Sequence, residues 1–229
     1  MASICAVDLE QVRSARSAGV LREITPDLLR FNQGVIPILC PDADKYKKRQ
    51  HLEELVAYQA GAPRVHMLGV HGGAVALSRR SPLSNYSRFV FGFIRDIVRG
   101  RLCMLLYLLC PLLWFLGWCM RQDWRLLMDI WAASKLKGIR TVVLYIHLPC
   151  GVAQLCQQSF NVQLLHAARA KRRVKRWLRG SVDKALIFVH VDYGDKERTY
   201  VARAEDIERY AKGGFLLPSI SLENIRVAV

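Results

Sequence analysis

Short apolar runs alternate along this chain with longer stretches of mixed polarity. Residues 35–40, VIPILC, form a compact apolar run, and the charged stretch after it, ADKYKKRQHLEELVAYQ, has the pattern of an amphipathic helix. A second run, RVHMLGV, leads into HGGA at 71–74, where paired glycines permit turns and close backbone approaches that other residues resist. Over 124–137, WRLLMDIWAASKLK, residues Leu127, Ile130, Trp131 and Ser134 recur at helical spacing, Gly138 closes the helix, and TVVLYIH opens a buried strand. A helix over about 159–178 then leads through Gly180 to the strand ALIFVHVDY. ERTYVARAEDIERY follows as a polar strand and a short helix.

Strands alternating with helices predict an α/β fold in three layers, with a mostly parallel central sheet and helices on both faces. The length suits one domain over 1–229, and no internal repeat is visible. The exception to the alternation is an apolar helical insertion at about 88–122. Its centre, 102–120, is LCMLLYLLCPLLWFLGWCM, without a charge and flanked by Arg99, Arg101, Arg121 and Arg125. Pro111 at its midpoint favours two short arms over one rod.

Charge adds a second theme. The chain carries 34 Lys and Arg against 19 Asp and Glu, a net +15, so its surface must present positive patches. The densest basic run, ARAKRRVKRWLRG at 168–180, reads first as a solvated helix face with Leu165, Ala168, Arg172 and Lys175 on one side. Next to an apolar segment it also suits an anionic membrane surface contacted through 102–120 and 168–180. The absence of a nucleic-acid-binding motif or aromatic platform argues against nucleic acid as a partner.

The seven cysteines follow no even spacing and the N-terminal stretch lacks the order of a signal peptide. The expectation is a reducing, cytoplasmic setting, peripheral or monotopic at the inner face of a membrane, with thiols available for metal. In a parallel α/β sheet, ligands gather at the carboxyl ends of strands. Cys40 lies at one such end, and His147 and Cys150, in LYIHLPCG, lie at another. Asp42, in CPDAD, can join them, and two thiolates, an imidazole and a carboxylate are zinc ligands.

A cysteine and an aspartate after the first strand, with HxxCG after a later one, resemble the beta-class carbonic anhydrases. The resemblance implies that Cys40, His147 and Cys150 hold Zn2+, and that Asp42 takes the fourth position or holds a zinc-bound water. It also places His71, in the glycine loop, where it would orient substrate or shuttle protons. The chain departs from the family at Asp44, where the family carries an arginine that pairs with the aspartate. Without that arginine, Asp42 is freer to close the site on zinc.

The resemblance thus implies a zinc-dependent, carbonate dehydratase-like lyase, or a related hydrolase, acting on a small molecule such as carbon dioxide. The competing reading is a catalytically silent, zinc-stabilised protein that docks on membranes or partners. A single membrane crossing at 102–120 would put Cys40 and Cys150 on opposite sides of the bilayer. The shared site therefore predicts either a hairpin bent at Pro111 or an apolar surface buried in a homo-oligomer.

Overall fold

The computed structural model describes residues 4–25, 28, 33–40, 65–84 and 121–213. The expected helix after Cys40 lies outside them. So does the apolar insertion, except for residues 121 and 122 at its end.

Among the described residues the chain is α/β around one six-stranded sheet. Its strands are β1 (Leu21–Glu23), β2 (Ile36–Leu39), β3 (Leu68–Gly69), β4 (Thr141–Leu148), β5 (Lys184–Asp192) and β6 (Glu197–Ala202), in the order β1-β6-β5-β4-β2-β3. A mostly parallel sheet was the expectation, and the observed sheet is mixed. β3, β2, β4 and β5 run parallel, whereas β6 is antiparallel to both β5 and β1. The reason is local: Tyr193 N–H bonds the Lys196 carbonyl across a tight turn, and Asp192 accepts from Gly194 N–H, so β5 folds straight back into β6.

Among the described residues five α-helices accompany the sheet: α1 (Ala6–Ser17), α2 (Gln122–Lys137), α3 (Gly151–Leu155), α4 (Phe160–Trp177) and α5 (Ala204–Lys212). Strand alternation divides the interior in two. Val142, Leu144, Ile146 and Leu148 of β4, with Ala185, Ile187, Val189 and Val191 of β5, face the large core, to which α1, α2, α4 and α5 all contribute. Val143 and Phe188 belong to a smaller cluster with Val35 and Val201, and no described helix contributes to it.

α2 ends as its sequence requires, at Gly138 with φ 68°. In α4 the buried stripe differs from the expected one. Phe160, Leu164, Ala167, Ala168 and Val174 face inward together with Gln163, His166 and Arg173, while Arg172 and Lys175 are exposed. Specific partners make the inward polar residues tolerable. Arg173 donates to the Leu77 carbonyl and pairs with Asp123, which also takes a two-pronged contact from Arg121 at 2.6 and 3.1 Å. Burial alone would raise the Asp123 carboxyl, but the two guanidiniums outweigh it and hold it below the usual range. This triad ties α2, α4 and the 3-10 segment Gly73–Leu77 together. The rest of the basic run is partly engaged as well, Arg172 with Glu208 and Lys175 with the Asp183 carbonyl.

α1 has a structural role that its weak apolar pattern did not reveal. Asp8 accepts the Phe160 N–H at 3.0 Å and Gln11 accepts the Asn161 N–H at 3.1 Å, so two buried side chains of α1 cap the start of α4. Asp8→Ala leaves that amide unmet and should cost about 1 kcal/mol, read as a lower midpoint in urea unfolding.

His166 gives a second expectation. It is buried beside Ser78 at 2.9 Å, and burial, with the charge of Arg169 adding to it, pushes its pKa from 6.5 down to about 4. Between those values the unfolded chain binds a proton that the folded chain does not. The contribution of His166 is therefore fully present above about pH 6.5 and is lost as the pH falls toward 4, with a slope approaching about 1.4 kcal/mol per pH unit. Urea titrations across this range should show that slope in the wild type and a flatter one in His166→Asn.

Candidate metal centre

Three of the four residues expected to bind metal come together. One donor atom each from Cys40, His147 and Cys150 lies within 4.8 Å of the others. Asp42, like Asp44, lies outside the described residues.

The convergence follows from strand register. Ile36 pairs with Val142 and Ile38 with Leu144, so the carboxyl end of β2, where Cys40 sits, lies beside the end of β4. His147 is the penultimate residue of β4, and Cys150 occupies the N-cap position of α3. Cys150 and His147 are buried and Cys40 is half-buried. The third side of the site is the glycine loop after β3, whose Gly72 N–H donates to Cys40 Sγ at 3.3 Å.

His147 is oriented as a ligand. Its Nδ1 lies 2.9 Å from the Pro149 carbonyl. A carbonyl only accepts, so Nδ1 carries a proton, and in the neutral ring the lone pair is then on Nε2. Nε2 is buried without a hydrogen-bond partner among the described residues. Metal-binding histidines are commonly held this way, with the second ring nitrogen donating to a carbonyl. At the same place, a hydrogen bond from Cys40 outweighs the cost of burial, and the His147 imidazole adds to it, holding the Cys150 thiol well below its usual range. Cys156 moves the other way, raised by burial and by Cys150, and stays outside the cluster.

The arrangement fits a metal ion in donor chemistry and in size. Tetrahedral zinc with two thiolates needs sulfur atoms about 3.8 Å apart, which falls inside the 4.8 Å that bounds the three donor atoms. His71 is exposed on the glycine loop and is not one of the clustered residues, although its neighbour Gly72 touches Cys40.

His190 escaped the sequence reading. It is the register partner of His147 across β4 and β5, contacts Thr199 at 3.0 Å and Glu197 at 3.3 Å, and stacks on Tyr145. Burial pushes the Tyr145 hydroxyl up to about 12. The signal was present in the two strands: TVVLYIHL and KALIFVHV each carry a histidine at the seventh place, and parallel pairing puts the two side by side.

Comparison with models of protein families, with curated proteins and with solved structures finds no match to this chain.

The glycine loop gives a direct test of the site's construction. A Cβ at Gly73, whose φ is 55°, would lie 2.7 Å from the Tyr145 carbonyl oxygen in β4 and 3.2 Å from Cys40 N just after β2, both backbone atoms. Gly73→Ala should destabilise the fold by about 1–3 kcal/mol, measured by urea unfolding, because neither contact can yield by side-chain rotation.

Proposed function

We propose that this chain is a zinc protein in which Cys40, His147 and Cys150 hold the ion. The observation that carries the reading is the buried, unpartnered Nε2 of His147, its ring fixed by the Pro149 carbonyl, close to two thiols. Thiolates and imidazole favour zinc over the oxygen-seeking cations. Asp42, two residues beyond Cys40, supplies the fourth ligand or the partner of a water molecule.

The order of CPD and HLPCG at two strand ends supports a beta-carbonic-anhydrase-like chemistry on a small molecule such as carbon dioxide. Bound zinc would polarise water for attack on that substrate. The chain's own contributions are the positioned imidazole of His147, the lowered Cys150 thiol and the glycine loop that closes one side of the site.

The test is zinc content per purified chain, handled without chelators, in wild type, Cys150→Ala and His147→Ala. About one zinc in the wild type and little in either variant is expected for a three-residue protein site. No zinc in the wild type overturns the proposal. Carbon dioxide hydration by the zinc-loaded wild type then separates an enzyme from a protein that uses the metal only for its fold.

A further inference from the structure

Basic side chains also gather between α1 and the β5–β6 turn. A cleft of about 400 Å³ lies between them. Arg13 and Arg16 of α1 line it from one side and Lys196 and Arg198 from the other, with Tyr193 and Asp195 between them. Arg13 and Arg16 are three residues apart on one helix face, and Lys196, the last residue of the turn, and Arg198, in β6, both line the opposite wall.

Four cations thus face one carboxylate across a concave surface. The side chains of Arg13 and Lys196 make no ion pair or hydrogen bond among the described residues, and Asp195 pairs with none of the four. Among the described residues, the acidic group that pairs with the cluster is Glu23, which lines an adjoining hollow with Arg13 and Arg16. Glu23 reaches Arg16 at 3.8 Å and Arg198 at 3.5 Å, all three side chains being well exposed. Such contacts are weak and readily displaced.

The cleft is also partly organised in advance. The Arg16 guanidinium lies 5.1 Å over the Tyr200 ring, and the Tyr200 hydroxyl is 3.0 Å from that of Tyr193 at the cleft wall. Converging like charges repel unless an anion lies between them, and guanidinium groups match phosphate oxygens in geometry as well as charge. The volume is that of a small-molecule site.

We infer that the cleft bounded by Arg13, Arg16, Lys196 and Arg198 binds phosphate groups, of the kind a phosphorylated small molecule or a phosphorylated lipid headgroup presents. Glu23 acts there as a resident counter-charge that an incoming phosphate displaces. The cleft shares no lining residue with the metal centre.

The experiment is calorimetric titration of the full chain with inorganic pyrophosphate at low salt. Saturable binding at one site is expected, weakened about tenfold or more in the double variant Arg13→Ala, Lys196→Ala and tightened a few-fold in Glu23→Gln. All three substituted positions are exposed, so unchanged unfolding midpoints show that the variants remain folded. No saturable binding up to about 10 mM, or equal affinity in the double variant, overturns the inference. Co-sedimentation with vesicles containing a phosphatidylinositol phosphate identifies the source. Binding that pyrophosphate competes away and the double variant lacks supports a lipid headgroup, and pyrophosphate binding without vesicle binding supports a free phosphate ester.

Discussion

The parallel register of β4 between β2 and β5 is the constraint on which the rest depends. It places Ile36 and Ile38 beside Val142 and Leu144, and His147 beside His190. Side chains alternate along a strand, so a slip of one residue would turn the inward set of β4 outward and carry His147 to the opposite face. Each apolar side chain that a slip exposed would cost about 1.5–3 kcal/mol, and a few of these exceed the net stability of a typical domain. The packing that fixes the register therefore also fixes the ligand geometry. The metal centre needs no separate mechanism to bring Cys40 to the end of β4.

Buried polar contacts then locate what surrounds the sheet. Apolar packing is tolerant of rotation and sliding, whereas the Asp123 triad and the Asp8 and Gln11 caps each join one named atom to another. The triad reaches the Leu77 carbonyl, at the end of the 3-10 segment that begins with Gly73. It thus holds the far end of the loop whose near end donates to Cys40. Buried ion pairs are poor sources of stability, because desolvation offsets much of their attraction. Their evident role here is to hold a glycine loop against a site.

How far the sequence revealed this depended on whether apolar periodicity carried the information. The strands β4 and β5 and the helix α2 were legible because their buried positions are apolar and a glycine ends the helix where expected. Cys40, His147 and Cys150 were legible because strand ends in an α/β sheet are where side chains from distant parts of the chain meet. α1 was not, since two of its four buried residues are Asp8 and Gln11. The stripe of α4 was misjudged for the same reason, its inward face including Gln163, His166 and Arg173. The antiparallel course of β6 was missed because a turn of four residues outweighs the general preference of alternating elements for crossovers.

The basic excess makes a related point about charge. A net +15 is one number, yet the structure separates cations that have found partners from those that have not. Arg173 is buried against Asp123, Arg22 meets Asp206 at 2.6 Å, and Arg140 meets Asp183 at 2.8 Å. These serve the fold. Isolated exposed cations on a convex surface are fully solvated and attract no anion in particular, because water and salt screen them over about 10 Å. Arg13 and Lys196 differ in that they face each other across a hollow, where fewer water molecules screen them and one anion can reach both. Recognition depends on the charges that remain unpaired in concave places, and composition cannot locate these. The fold can, since it is the return of β6 and its pairing with β1 that brings Lys196 and Arg198 opposite the helix carrying Arg13 and Arg16.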